Sequence, residues 1–326
     1  MKISCLFPAG PDTPAWIELA EELGYRRAWC FDSPPVCSDV WMTLALAATR
    51  TTRIGLGPGM MVPSLRHVVT NAVAAATLHD LAPGRVTIGV GAGLTSRRLM
   101  GQRGLRWSEI VDYIGQFREV LRTGSADVDG GRVYMCHPIT QRPSGPLDLP
   151  ILPAVEGPVG VKAATAMDAA GVFSSQPIPP QFNWGVRPVF GTVLDPGESP
   201  LSDRVAATAG PGASVMYHLL HDSGVDISGM PGGAAWRSAL EALPPEDRAL
   251  AHWKGHLVHL SELDRAHIPR EAIPQLTVVG TPEEVAQRIA ALADEGVTEI
   301  AFNPAGDIPD ELRRFAKAVR LAPVAV

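Results

Sequence analysis

Of the 326 residues, 46% are hydrophobic and 19% charged, enough apolar material for a large core and too much for a disordered chain. The 28 basic and 34 acidic side chains leave a formal net charge of -6, which argues against the clustered basic footprint of a nucleic-acid binder. Glycine (32) and proline (30) are in excess, yet the glycines have no three-residue period, which excludes collagen, and apolar residues surround them, which excludes low complexity. No run of 18 uncharged apolar residues occurs, and Met1 leads straight into a short apolar strand instead of a signal peptide. These features predict a cytosolic protein with no membrane contact. The four cysteines (Cys5, Cys30, Cys37, Cys136) lack C-x-x-C spacing, so neither a disulfide nor a zinc site is expected.

In chain order, short β-rich runs alternate with amphipathic stretches. The runs 3–7, 27–31, 53–56 and 86–90 read as strands, and 15–23, 40–49 and 68–81 as helices ending at glycine or turn signals such as Gly24 and Pro83-Gly84. A long helix is predicted from Trp107 to Leu121 with Ser108 as its N-cap, then a hairpin around Asp129-Gly130-Gly131. Strand 150–155, helix 159–169 and strand 172–174 follow. The alternation blurs between 176 and 275, a proline-rich stretch read as a long insertion carrying a strand near 186–193 and helices near 204–221 and 246–260. It resumes with Thr281-Pro282-Glu283-Glu284, a cap, an N1 proline and two first-turn acids opening a helix to Glu295. Strand 299–303 and helix 310–320 close the chain. Alternation to the C-terminus without a G-x-G-x-x-G fingerprint predicts an α/β (β/α)8 TIM barrel, one domain over 1–326 with a lid or insertion at 176–275.

In such a barrel the site lies at the C-terminal strand ends. Those positions are Phe7-Pro8-Ala9, Phe31-Asp32-Ser33, Gly57 to Met60, Gly89 to Leu94, Glu156-Gly157, Ser174 to Pro177 and Asn303-Pro304. They are poor in acids and bases. No G-x-S-x-G elbow, Ser-His-Asp order or pair of catalytic carboxylates is present, which weakens a hydrolase reading. Backbone and small residues suit a flat cofactor whose ring carries the chemistry. The Gly-Pro turn opening helix 159–169 offers free N–H groups and a positive dipole end to a phosphate.

Ala20-Glu21-Glu22-Leu23-Gly24-Tyr25 with Ala28-Trp29-Cys30-Phe31-Asp32 resembles the second-strand region of the luciferase-like flavin and deazaflavin oxidoreductases. So do Thr52-Arg53-Ile54-Gly55-Leu56-Gly57, Leu81-Ala82-Pro83-Gly84-Arg85 with Gly89-Val90-Gly91-Ala92-Gly93, and Val279-Gly280-Thr281-Pro282-Glu283-Glu284-Val285. Each motif is weak alone; their order and spacing over about 1–175 and 276–320 are specific. The resemblance implies a barrel that binds FMN or the deazaflavin coenzyme F420 over its mouth. Asp32, Gly59, Met60, Ala92 and Gly93 would line the ring, and Gly157, Pro158, Val159 and Gly160 would meet the phosphate. Flavin-using relatives often place an arginine where this chain has Ala92, and Gly-Val-Gly-Ala-Gly followed by Arg97-Arg98 is similar to the methylenetetrahydromethanopterin reductase branch, so F420 is favoured over FMN. Arg66, Arg97 and Arg98 are candidates for its phosphate or anionic tail.

The sequence also departs from the family. Where sugar-phosphate dehydrogenases of the deazaflavin branch carry a His after the second-strand Asp and a Glu after the fourth-strand glycines, this chain has Ser33 and Leu94. The expected reaction is therefore reduction of an activated C=C or C=N bond, which needs one proton donor. His256 is the best catalytic candidate, with Asp32 and Ser33 beside the ring. His252, His256, His259 and Glu262 would share one helix face if the helix ran through Gly255; a metal on that face is not favoured, and a surface or interface stripe is the plain alternative. His218 and His221 are placed similarly, His67 and His137 lie within reach of the mouth, and His79 reads as structural. Trp184, Phe182, Met216, Tyr217 and Trp253 are candidates for an apolar pocket or for core. Alternatives are an FMN-dependent monooxygenase fed by a flavin reductase, a catalytically silent cofactor-binding barrel, and a metal-dependent hydrolase. A homodimer acting on a small molecule is expected.

Overall fold

The computed structural model describes residues 1–136 and 146–321; His137 lies outside the described residues. The strands are β1 (Lys2–Phe7), β2 (Arg27–Cys30), β3 (Gly55–Pro58), β4 (Ile88–Val90), β5 (Ser125–Val128), β6 (Gly131–Tyr134), β7 (Ile151–Pro153), β8 (Val172–Phe173), β9 (Gly185–Val193), β10 (Val278–Gly280) and β11 (Glu299–Asn303). The first six α-helices are α1 (Thr13–Leu23), α2 (Val40–Arg50), α3 (Val68–Leu81), α4 (Leu94–Leu99), α5 (Trp107–Thr123) and α6 (Pro158–Ala166). Then come α7 (Asp203–Asp222), α8 (Gly233–Glu241), α9 (Pro245–Trp253), α10 (Glu262–His267), α11 (Ile273–Leu276), α12 (Pro282–Ala291) and α13 (Ile308–Val319). No described helix is long and apolar enough to cross a membrane.

The principal sheet is parallel and runs β10-β9-β11-β1-β2-β3, with β8 also on β9. Strands β4 and β7 form a separate parallel pair. Single bridges connect that pair to its neighbours: Leu56 to Val86, Met61 to Val90, and Ala154 to Phe173. The continuous ladder is thus a half-barrel rather than the closed barrel expected from the sequence. The parallel βαβ alternation itself is as the spacing predicts.

Side chains alternate across the strands with a period of two. Leu6, Trp29, Leu152, Phe173, Val186 and Ala301 meet on the concave side. Ile3, Cys5, Ala28, Cys30, Leu56, Ile88, Ile300 and Phe302 face the other way and are buried with the helices. At the N-terminal end of the concave side, Arg27 pairs with the buried Glu299 at 2.7 Å and stacks on Trp184, whose Nε1 donates to the same carboxylate at 3.2 Å. Trp184 therefore plugs the end of the sheet opposite the strand-end loops.

Three local expectations are corrected. The strand near 186–193 is not part of an insertion: β9 pairs with β8, β10 and β11 in the principal sheet, so the stretch outside the repeating pattern is the helical cap α7 to α11. The N-cap of α5 is Arg106 rather than Ser108, because Glu109 reaches back to the Arg106 N–H at 2.7 Å. Helix α9 stops at Trp253, and Gly255 at φ 80 turns the chain left-handed, so His252, His256 and His259 do not share a helix face. Of the pocket-or-core candidates, Tyr217 and Trp253 are buried in the cap as core. The capping box Thr281/Glu284, the hairpin β5–β6 and the stop at Gly296 form where the sequence places them.

Candidate active site

Parallel strands send their outgoing loops from one rim, which gathers the positions after β1, β2, β3, β4, β7, β8 and β11. Asp32, just past β2, is the most constrained of them. Its carboxylate is fully buried, accepts from Arg66 Nη1 at 2.9 Å and 3.0 Å, and accepts from the Val62 N–H at 3.2 Å. The other arm of Arg66 donates to Asp39 at 2.7 Å, the residue that also caps α2 through the Trp41 and Met42 N–H groups. Tyr113 Oη donates to the Arg66 carbonyl, and Asn71 links Tyr113 to Trp41. Burial pushes the Asp32 carboxyl up although Arg66 pulls it down. Burial opposes the charge on Arg66 too, but Asp32 and Asp39 outweigh it and raise that guanidinium. Asp32 thus ties the loop after β3 to the loop after β2. Ser33 beside it is half-buried, and its carbonyl accepts from Val36 and Cys37.

Gly59 and Met60 follow β3, joined by a cis peptide bond. A Cβ on Gly59 would stand 2.7 Å from Trp29, so the backbone lies flat on the inner cluster, against which Met60 also packs. Ala92 and Gly93 follow β4. The Gly93 φ of 73 is left-handed, and a Cβ there would come 2.5 Å from Val62, so only glycine fits. Arg97 is buried and donates to Ser64 Oγ and the Arg103 carbonyl. Arg98 pairs with Asp222 of α7 at 3.1 Å. The three arginines considered for an anionic arm therefore each hold the rim together through an internal partner.

The start of α6 is built differently. Gly157 is its N-cap in extended conformation, with nothing within 4 Å of a Cβ placed there. Pro158 at N1 has no N–H, so Val159 and Gly160 present the leading donors. Val159 is exposed, whereas Gly160 is packed against Trp107. Glu156, one residue earlier, accepts from the Ser175 backbone and hydroxyl, tying the loop after β7 to that after β8.

Over this rim lies the cap. Asn303, ending β11, donates to the Leu257 carbonyl at 3.2 Å, and the Leu257 side chain packs on the cluster that holds Phe31. His256 precedes Leu257 and is half-buried, with Nδ1 3.0 Å from Nδ1 of His218. His67 is the N-cap of α3, accepting from Val69 N–H at 3.3 Å.

A family model described as luciferase-like monooxygenase matches residues 8–183, more than half of the chain. The chain belongs to this family. It is 24% identical over 307 residues to the 5,10-methylenetetrahydromethanopterin reductase of Methanolobus tindarius, covering 89% of this chain and 90% of that protein. It is 27% identical over 286 residues, 85% of this chain and 80% of the other, to the F420-dependent glucose-6-phosphate dehydrogenase of Beutenbergia cavernae. In fold it is similar to the coenzyme F420-dependent tetrahydromethanopterin reductase of Methanopyrus kandleri, with a TM-score of 0.71 at 19% identity over 97% of this chain and 98% of that one.

For this luciferase-like chain the rim residues fit a flat ring with an anionic arm. Phe31, Met60 and Leu257 give an apolar surface with Ala92 beside the principal core, and the open Gly157 cap gives the arm unobstructed backbone donors. The structure adds partners that residue spacing did not reveal. Asp264 and Trp236, on α10 and α8, complete a hydrogen-bonded chain with His218 and His256. The only local signal for it is the Ser261/Asp264 capping box, which fixes that carboxylate's helix but not what it faces.

Proposed function

We propose that the protein is a deazaflavin-dependent oxidoreductase that exchanges a hydride with a small organic substrate held between rim and cap, in the direction of reducing an activated C=C or C=N bond. The observation that carries this reading is the rim itself: apolar, poor in acids and bases, and opening on a helix start that a Cβ at Gly157 would not obstruct. The relatives support it, since one is named a methylenetetrahydromethanopterin reductase and another an F420-dependent dehydrogenase. Ala92, where flavin-using relatives often carry an arginine, favours F420 over FMN. In this reading β4 and β7 complete a (β/α)8 barrel through their bridges, and the protein works in the cytosol as a homodimer. Exposed Met42 and Leu46 on α2 support a homodimer.

When bound, the deazaflavin supplies two-electron hydride chemistry. The chain supplies the rest. Gly59, Met60, Ala92 and Gly93 form the floor, with Asp32 holding two of its loops in register. Gly157 to Gly160 would bind the phosphate, and Arg97 ties the segment after β4 to Ser64 in the loop after β3. Ser33 stands at the edge of the ring site, and His256 exchanges the proton. Leu257 and the cap exclude water from the mouth. Anaerobic titration with oxidised and reduced F420 and FMN tests the assignment. Saturable spectral change with F420 is expected. Binding of FMN alone overturns it in favour of an oxygen-using monooxygenase served by a flavin reductase, and binding of both with no acceptor reduced across a broad panel favours a silent cofactor-binding barrel.

A further inference from the structure

The cap holds a chain of polar atoms that runs from its interior to the rim. Asp264 is 1% exposed and accepts from Trp236 Nε1 at 2.9 Å and from the Ser261 N–H at 3.3 Å, with His218 Nε2 at 3.0 Å. An ionised carboxylate only accepts, so His218 must carry a proton on Nε2 and donate it. Burial opposes the charge on Asp264, but the bonds from His218, Trp236 and Ser261 hold its carboxyl below the usual range. A neutral His218 then has a bare Nδ1, which faces His256 Nδ1 at 3.0 Å. One of those two nitrogens must donate, and only His256 has the proton to give. Its Nε2 is left with a free lone pair.

The surroundings keep His256 neutral at rest. Around it and His218 stand His252 and Trp253 from α9, Asp264 from α10 and the indole of Trp236 from α8, with His221 of α7 behind His252; Arg98 of α4 is neutralised by Asp222. Burial, then the neighbouring His218 and His252, pull the His256 ring well below 6.5. His256 Nε2 has no partner among the described residues, and the next side chain, Leu257, sits on the barrel-mouth cluster with Met60. The family's acid and base positions hold Ser33 and Leu94 here, and the basic groups the rim does carry are engaged, Asp32 by Arg66, Glu156 by Ser175 and His67 by the Val69 N–H.

We propose that Asp264 and His218 are positioning residues that fix His256 as the proton-exchanging group at the rim, and that of the two bonds read above the one reduced is C=N, the couple being an imine with its amine. This rests on the deazaflavin reading. In the oxidising direction the amine N–H proton goes to His256 Nε2. Its adjacent C–H bond gives up an electron pair and hydrogen as hydride to oxidised deazaflavin, and the C=N bond forms. The new imidazolium keeps its Nδ1–H on His218, whose other nitrogen faces Asp264. In the reverse direction the imidazolium returns that proton to the nitrogen, so reduction weakens as pH rises and oxidation strengthens. The arrangement has the logic of a carboxylate orienting one histidine, extended by a second ring.

Histidine-selective 15N NMR on the cofactor-free protein reads the tautomers directly. At pH 7.5 the expected pattern is His256 protonated on Nδ1 and bare on Nε2, with His218 the reverse. H218L should release the His256 tautomer, whereas H218N, whose Oδ1 can stand in for Nδ1, should keep it. D264N should lower the pH at which His256 takes up its proton, since Asp264 favours that charge, and shift the pH profile of turnover the same way. H256Q should lower kcat about 100-fold or more with F420 affinity unchanged. A wild-type His256 protonated on Nε2, or a tautomer untouched by H218L, overturns the proposal. With the tautomers intact and F420 bound, failure to oxidise any amine or to reduce any imine overturns the substrate assignment. Absence of F420 binding sinks the cofactor reading instead and leaves the tautomer pattern to be judged by itself.

Discussion

The Asp32–Arg66–Asp39 cluster shows how a single side chain sets the rim. Arg66 satisfies two carboxylates, one of them fully buried. Replacing Arg66 by Met keeps much of the stem's packing but leaves Asp32 a buried carboxylate with only the Val62 N–H. Breaking a buried pair from one side costs about 3–5 kcal/mol, and because Asp32 is already pushed up by burial, it will take up a proton in the variant. Urea unfolding of R66M should show that loss, smaller at pH 5 than at pH 8, since protonation removes the unpaired charge. A loss independent of pH would show that packing, not charge, holds the loop.

At the scale of the element, α6 separates stability from binding. Gly157 is an extended N-cap with open space around it, and Asp is a better N-cap than Gly by a few tenths of a kcal/mol or more. G157D should therefore leave the melting temperature unchanged or slightly raised while it puts a negative charge where the cofactor phosphate would sit. Affinity for F420 should fall about tenfold or more by fluorescence titration. Undiminished affinity with a normal melting curve would remove α6 from the phosphate site. The element boundaries also explain why the histidines mislead as a sequence pattern. Their spacing suits one helix, but Gly255 breaks it, and His256 finds His218 from a different element altogether.

Across the whole molecule, the cap carries its own small core, with Tyr217, Ile227, Trp236 and Ile268 packed apart from the principal core. Burial, then the nearby His218 and His221, lower His252 to about 3, and burial lowers His256 in the same sense. Both are neutral in the fold, whereas the unfolded chain takes up their protons below about pH 6.5. Their contribution to stability is thus fully present above about pH 6.5 and is lost as pH falls, by up to about 1.4 kcal/mol per unit for each ring. Hydrogen exchange at pH 5 should show α7 to α10 opening before β1, β2 and β11 lose protection. Uniform loss across cap and sheet would mean that the two cores are one cooperative unit.

The alternation of short apolar strands with capped helices was legible in the residues, because period and capping are local: α3, β11 and the Thr281/Glu284 box lie where spacing puts them. The glycines of the rim were legible too, as positions where the backbone must approach closely. Three matters belong to the tertiary structure. Strand β9 could not be told from an insertion, since a strand's place in a sheet depends on neighbours such as β11, more than 100 residues away in sequence. Arg66, Arg97 and Arg98 look alike as free cations, and only the fold reveals the carboxylates, hydroxyl and carbonyl that occupy them. The tautomer of His256 follows from His218 and, behind it, Asp264, which come from two separate helices. By itself the sequence determined the kind of chemistry the rim can host. Which nitrogen of His256 is left bare was decided by burial and hydrogen bonding among residues that are neighbours only in space.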